Sequence, residues 1–384
     1  MGFEFATATQ IIYGNGKLNN IGEYASLFGN RSFIVSGSNT EKNETLQNLL
    51  EDKKIKHQIF MIDREPTIQI VRSGVEAARK FDTNFVIGIG GGSAVDCGKA
   101  ISALLTNRSD VFEYLEVIGN GKPLTQDPLP YIAIPTTAGT GAEVTKNAVL
   151  ESPDHAVKVS LRHKKMFPDI ALIDPELTFS MPAEVTAYTG MDALTQVIEP
   201  FVSNKANPLT DSICFDGIRR AAQYLERVYY NGNDIEGRKN MSLVSLFGGL
   251  ALTNAGLGAV HGIAGPFGGV FHAPHGAVCA RLLPFVMAKN IEALKNREPN
   301  NDVLSRYKMI SQILTNNNNA GIHEGVDWII KLIDLMKIPS LSQYGFKEEN
   351  IPELLKKSRN ASSMKGNPIR LMDIELESIL NQAM

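Results

Sequence analysis

The sequence predicts two unlike halves: an α/β domain built on a parallel sheet over residues 1–180, and an all-α domain over residues 181–384. Three observations predict it. At 384 residues the chain exceeds the ~250–300 residues at which a single core stops growing. From Ser32 to Asp174 short apolar runs alternate with stretches of helical period, the pattern of buried parallel strands covered by helices. After Pro175 the short runs stop and long helical stretches replace them.

The runs, in order, are SFIVSG at 32–37, KHQIFMID at 56–63, NFVIGIGGG at 84–92, LPYIAIPTT at 129–137 and IALIDP at 170–175. Each ends in Gly, Ser, Thr, Asp or Pro, which places polar, flexible turns at the strand ends where open α/β sheets bind ligands. The stretch from Ala94 to Leu105 reads as the helix after the third run. In the second half, NPLTDSICFDGIRRAAQYLERV at 207–228 and VDWIIKLIDLMK at 326–337 read as helices. Ser180, Pro182 and Glu184 predict a helix start, with a capping hydroxyl, a first-turn proline and an acid at the positive dipole end, and so mark the domain boundary. The run Asn316 to Asn319 reads as a surface turn.

Composition bounds the class. With 43% hydrophobic and 21% charged residues and a formal net charge of −3, the chain has no broad electrostatic attraction to nucleic acid or anionic membranes. Cys97, Cys214 and Cys279 lie far apart and form no CxxC pair, so neither a disulfide framework nor a thiolate zinc knuckle is suggested. The start lacks the basic stretch and apolar core of a signal peptide, and no unbroken apolar run reaches the ~18 residues of a membrane span. The reading is cytoplasmic.

Two loops carry phosphate-binding character. Gly90, Gly91, Gly92 and Ser93 follow an apolar run and open a helix, an arrangement in which backbone N–H groups and the helix dipole meet an anion. The same residues also suit a purely structural tight turn, since Ser93 stands where GxGxxG has its last glycine. The next run leads into PTTAGTGAE, where Thr136, Thr137 and Thr140 offer hydroxyls to a nicotinamide or pyrophosphate, or satisfy their own backbone.

Of seven histidines, His261, His272 and His275 fall in the single segment VHGIAGPFGGVFHAPHG. Clustered imidazoles beside glycines and Pro274 suggest a site lining a cavity. Asp192 sits amid apolar residues of a predicted helix, where a carboxylate must find a partner or bear a large desolvation cost. It reads equally as a metal ligand completing the histidines and as a cap or buried ion-pair partner.

Taken together, GGGSAVDCGKA, PTTAGTGAEVT, TGMDALTQVIEPFVS and VHGIAGPFGGVFHAPHG resemble, in order and spacing, the iron-containing or group III alcohol dehydrogenases of dehydroquinate synthase-like fold. The resemblance implies an N-terminal dinucleotide-binding domain and a C-terminal helical, metal-binding catalytic domain. It further implies hydride transfer between NAD or NADP and a small alcohol or aldehyde, one divalent metal (Fe or Zn), and a homodimer or larger homo-oligomer. By position, Gly92 and Ser93 would contact the pyrophosphate, and Thr136, Thr137, Thr145 and Lys158 would line the rest of the cofactor site. Asp192, His261 and His275 match metal ligands.

The chain departs from the family in three places. Gln196 stands four residues after Asp192, where the family usually has a histidine on the same helical face; an amide oxygen is a weaker donor than imidazole, so Gln196 binds the metal loosely, holds a metal-bound water, or does neither. Gly265 stands where many relatives place a proton-passing histidine, and His272 is the candidate replacement, or else lines the cleft wall. Gly37, flanked by Ser36 and Ser38, stands where an acid would hold the adenine ribose and repel a 2′-phosphate, so NADP(H) should be tolerated better than usual.

Rival readings are a metal-independent reductase of the maleylacetate reductase type, in which the histidines bind substrate carboxylates, a dehydroquinate synthase-like lyase, and a binding protein without turnover. Asp192 argues against the first, being a poor neighbour for an anionic substrate. The polar segment from Ser362 to Pro368 either folds back to lend Lys365 to an anionic substrate or is an ordinary loop.

Overall fold

The structure, a computed structural model, describes residues 2–384. The chain divides into two compact units. One contains Ala6–Thr137 and Gly141–Ser180; the other contains Met181–Met384 with residues 2–5 and Ala138–Thr140.

Among the described residues the first unit holds strands β1 (Gln10–Tyr13), β2 (Arg31–Ser36), β3 (Lys56–Met61), β4 (Phe85–Gly90), β5 (Tyr131–Pro135), β6 (Asn147–Ser152), β7 (Val157–Arg162) and β8 (Ile170–Ile173). Its helices are α1 (Ile21–Ala25), α2 (Thr40–Glu51), α3 (Ile68–Lys80), α4 (Gly92–Thr106) and α5 (Val111–Tyr114). Six strands form one parallel sheet in the order β1-β8-β5-β4-β2-β3, and β6 and β7 form a separate antiparallel pair.

The central strands β4, β5 and β8 are buried at every position because both faces are covered, whereas the edge strand β3, KHQIFM, is polar at its start and only half-buried. Ile34, Ile87, Ile89, Ile132 and Leu172 join Leu46 and Leu50 of α2 on one side. Phe33, Val35, Val86 and Ala133 join Val71 of α3 and Val95 and Ile101 of α4 on the other. This is the two-residue period of a strand read between two helical layers. The chain leaves β2 through α2 to β3 on one side and leaves β4 through α4 to β5 on the other, so the adjacent ends of β2 and β4 form the point where ligands of such sheets bind.

The second unit is helical: α6 (Ala183–Val202), α7 (Pro208–Tyr230), α8 (Ile235–Ala255), α9 (Ala259–Phe271), α10 (His275–Arg297), α11 (Val303–Thr315), α12 (Glu324–Leu335), α13 (Ile351–Arg359) and α14 (Asp373–Ala383). Every residue of α6 from Gly190 to Val202 is buried, and α7, α8 and α10 pack around it, as expected of a helix at the centre of its domain. Its start differs from the sequence expectation. Pro182, not Ser180, is the N-cap, no side chain caps the helix, and the first-turn N–H of Thr186 reaches the Pro182 carbonyl at 2.9 Å. Proline supplies an extended entry, φ −58° and ψ 155°, and the hydroxyl cap expected of Ser180 is not made.

Gly276 in the first turn of α10 lets that helix press against α6: a Cβ there would lie 2.1 Å from the Tyr188 carbonyl oxygen. Among the described residues no single helix is long and apolar enough to cross a membrane.

Candidate active site

The glycine loop and Gly37 converge at the diverging ends of β2 and β4. The Gly37 N–H donates to the Ile89 carbonyl at 3.1 Å, and the Thr136 N–H donates to the Gly90 carbonyl at 2.8 Å. Gly90 has φ +152°, and a Cβ on it would meet Ala94 Cβ at 2.7 Å, so the turn into α4 requires glycine. Gly91 caps α4 without a side chain, which leaves the amides of Gly92 and Ser93 at a helix N-terminus suited to an anion. Thr137 borders Gly91, its Cγ2 and Oγ1 standing 3.5 and 3.6 Å from where a Cβ would be. These residues form a turn within the α/β unit whose free amides and small side chains could seat a dinucleotide phosphate.

Thr145 and Lys158 have other engagements. Thr145 is buried; its Oγ1 accepts from Lys99 Nζ at 2.9 Å and donates to the Ala142 carbonyl at 3.1 Å. Lys158, on β7, lies 3.3 Å from Glu65 Oε1. Thr140 is exposed and belongs to the short segment grouped with the helical unit.

The lysine the sequence reading passed over is Lys99, whose Nζ donates to the carbonyls of Ala142 and Asn147, both at 2.7 Å, and to Thr145, with Asp96 at 3.4 Å. Burial pushes Lys99 down and Asp96 up, and their mutual attraction opposes both shifts. Lys99 thus ties α4 to the threonine loop and the β6–β7 pair.

In the helical unit, Asp192, His261, His275 and Cys279 bring one donor atom each within 4.8 Å of one another. Asp192 projects from the buried centre of α6, His261 sits in the first turn of α9, and His275 begins α10 with Cys279 one turn later. Asp192 Oδ1 is buried without a hydrogen-bond partner among the described residues, yet faces His261 Nε2 at 3.3 Å and His275 Nε2 at 3.8 Å.

A buried carboxylate oxygen left unpaired is costly. Two imidazole nitrogens turned toward it make a donor set that suits a divalent cation, so the residues fit the metal that the resemblance implies. Burial alone would push His261 down, but the charges of Cys279 and Glu199 and the Asp192 contact hold it well above the usual imidazole range. Burial would likewise raise Asp192, and His261 and His275 bring it below the usual carboxylate range. The cluster is built to attract positive charge.

Glu199, also missed from sequence, orients the site. Its Oε2 lies 2.6 Å from His261 Nδ1 and its Oε1 accepts the Val260 N–H at 2.7 Å. The Nδ1 proton is thereby fixed, and the Nε2 lone pair points toward Asp192. Gln196, one turn after Asp192, donates its amide N–H to the Gly139 carbonyl at 3.0 Å. His272 ends α9 in the left-handed conformation, φ 51°, exposed and outside the four-donor cluster.

The segment Ser362–Gly366 is a 3₁₀ turn held to its own domain, with Lys365 exposed and its carbonyl accepting from Asn204. Its contribution comes from Asn367, whose Oδ1 accepts the Ala259 N–H at 3.1 Å and so caps the helix that carries His261.

Residues 8–175 match the family model described as iron-containing alcohol dehydrogenase, and residues 186–384 match that of the family's C-terminal domain. The chain is 33% identical over 379 residues to alcohol dehydrogenase 4 of Schizosaccharomyces pombe, spanning 97% of this chain and 87% of that protein. It is 30% identical over 390 residues to 1,3-propanediol dehydrogenase of Klebsiella pneumoniae, spanning 99% and 98%. The fold matches a crystal structure of 1,3-propanediol oxidoreductase with a TM-score of 0.92 at 29% identity, over 100% of both chains. It also matches sulfoacetaldehyde reductase from Bifidobacterium kashiwanohense in complex with NAD+, with a TM-score of 0.88 at 27% identity, over 100% of this chain and 99% of the other. Since the two family models between them cover both structural units, the chain belongs to the iron-containing alcohol dehydrogenase family.

Proposed function

We propose that this protein is a metal-dependent alcohol dehydrogenase that exchanges hydride between NAD(P) and a small alcohol or aldehyde, with its metal on Asp192, His261 and His275. The observation that carries this reading is the buried, unpartnered Asp192 Oδ1 facing two imidazole nitrogens. A divalent cation bound there supplies Lewis acidity toward a substrate oxygen.

The chain's own residues do the rest. Asp192 supplies negative charge in a buried place, and Glu199 holds His261 in the tautomer that presents Nε2. Gly90 to Ser93 and the start of α4 seat the cofactor phosphates, and Thr136 and Thr137 border them. His272, exposed three residues before His275, is the residue proposed to exchange the substrate proton with solvent.

Gly37 supports use of both cofactors. No carboxylate stands there to hold the ribose hydroxyls or repel a 2′-phosphate, and a Cβ at Gly37 would have nothing within 4 Å. The matched propanediol and alcohol dehydrogenases support a small alcohol or its aldehyde as substrate class. Three buried free thiols suit a reducing, cytoplasmic setting.

The test is metal content by mass spectrometry on protein purified without chelator, with NADH and NADPH oxidation followed on an aldehyde panel before and after EDTA. Loss of activity with EDTA and recovery with iron or zinc is the expected result. Metal-free protein that still turns over would replace this reading with a metal-independent reductase.

A further inference from the structure

We propose that Cys279 is the fourth protein ligand of the metal, bound as a thiolate in preference to the amide of Gln196. The proposal rests on the reading that a divalent metal sits on Asp192, His261 and His275, and it adds the identity of the remaining donor.

The separations between donors carry the argument. At usual zinc bond lengths, ~2.0–2.2 Å to N and O and ~2.3 Å to S, tetrahedral coordination sets ligand atoms about 3.3 Å apart for an N···O pair and about 3.5 Å apart for an N···S pair. His261 Nε2 to Asp192 Oδ1 is 3.3 Å, and Cys279 Sγ to His275 Nε2 is 3.5 Å. The His275 Nε2 to Asp192 Oδ1 separation is wider, at 3.8 Å. All four donors fall within 4.8 Å of one another, so small side-chain shifts would bring them onto one ion.

Helix geometry explains how the thiol arrives there. His275 and Cys279 are one turn apart on α10, on the same face, and Gly276 allows that face to approach α6. Cys279 is fully buried, and its sulfur faces Asp192, His261 and His275. Gln196 has the equivalent one-turn spacing from Asp192 on α6; its amide nitrogen donates to the Gly139 carbonyl, and its oxygen is a weaker donor than a thiolate. Cys97 and Cys214 lie in apolar surroundings and belong to no such cluster among the described residues.

The chemistry follows from the donor set. One carboxylate and one thiolate balance a divalent cation, so the four donors and the ion together carry no net charge, with the Glu199 carboxylate outside them on His261 Nδ1, and the thiol proton leaves as metal binds. A sulfur donor selects Zn(II) or Co(II) over harder ions such as Mg(II) or Mn(II). With four protein donors, a substrate oxygen would be taken as a fifth donor, and the sulfur leaves the ion less electrophilic than an all-nitrogen and oxygen set would.

The test is cobalt substitution of the full-length apo-protein. Wild type should show visible ligand-field bands together with a near-ultraviolet sulfur-to-cobalt charge-transfer band. Cys279→Ser should keep the ligand-field bands, lose the charge-transfer band and bind Zn(II) ~100-fold more weakly, whereas Gln196→Ala should retain both bands. X-ray absorption on wild-type zinc protein gives the same answer without a variant, through one sulfur scatterer at about 2.3 Å. Ligand-field bands without charge transfer would overturn the role of Cys279 and leave the metal on Asp192, His261 and His275. Absence of any cobalt spectrum would overturn the metal reading as well.

Discussion

Glu199 and His261 are joined by a 2.6 Å contact between Oε2 and Nδ1, while the other carboxylate oxygen of Glu199 accepts the Val260 N–H at 2.7 Å. Because a carboxylate accepts at both oxygens, it fixes the helix start and the imidazole tautomer together.

Glu199→Gln separates those two roles. The amide oxygen is needed by the Val260 N–H, so the amide nitrogen must turn to His261 and donate to Nδ1. The ring proton then moves to Nε2, the atom that should face the metal. Zinc affinity is expected to fall by ~10–100-fold, with kcat falling alongside and the apo-protein's circular dichroism and Tm close to wild type. Zinc titration and melting curves check this. Unchanged zinc affinity in a normally folded variant would remove Glu199 from the metal site.

Gly37→Asp tests cofactor choice. The position has open space for a side chain and is not among the positive-φ residues, so the variant should fold. The carboxylate would accept from the ribose hydroxyls of NADH and repel the 2′-phosphate of NADPH. The expected outcome is a ~10–100-fold fall in kcat/KM for NADPH with NADH held or improved. An equal effect on both cofactors would show that the ribose does not lie at Gly37.

How much of this was legible in the sequence depends on where each signal lives. Most of the five runs of the first half could be read because parallel strands covered on both faces are largely apolar and end in turn residues; β3, at the sheet edge, was legible only by its apolar second half. β1 is a four-residue edge strand, too short to show a period, and β6 and β7 mix charges with their apolar positions. Asp192, His261 and His275 stood out as polar residues in apolar or glycine-rich surroundings. Cys279 and Glu199 did not, although each is spaced to share a face with a proposed ligand: Cys279 one turn after His275, Glu199 two turns after Asp192. Spacing counted outward from the ligands would have found them. The partners of Lys99 lie 43–48 residues along the chain, and no local pattern reports such contacts.

Gly276→Ala should damage the metal site from outside it. The added methyl would sit 2.1 Å from the Tyr188 carbonyl oxygen and 2.6 Å from its carbon, and backbone gives little. Tyr188 is one turn before Asp192 on α6, and Gly276 adjoins His275 on α10, so relief of the clash must draw His275 away from Asp192. Overpacking of this kind costs ~1–3 kcal/mol. The variant should lose zinc affinity as well as Tm. A lower Tm with wild-type zinc binding would mean that the α6–α10 contact does not set the ligand spacing.

Glu143 makes the α/β unit's stability depend on pH. It is buried beside the threonine loop, and burial pushes its carboxyl up to about 7. Unfolded, the carboxyl ionises near its ordinary value of 4.5. Between those values the folded protein holds the proton and the unfolded chain does not, so this contribution is fully present below pH ~4.5, declines as pH rises, and is lost above about pH 7. At about 1.4 kcal/mol per pKa unit the span is on the order of 3 kcal/mol. Glu143→Gln keeps the shape without the titration. Wild-type Tm should therefore drop more steeply than the variant's between pH 5 and 8, and the variant should be the more stable at about pH 8. Other groups titrate in both proteins, so the difference between the two profiles isolates Glu143. Parallel profiles would show that the carboxylate is accommodated in its charged form, with Lys99 as its counter-charge.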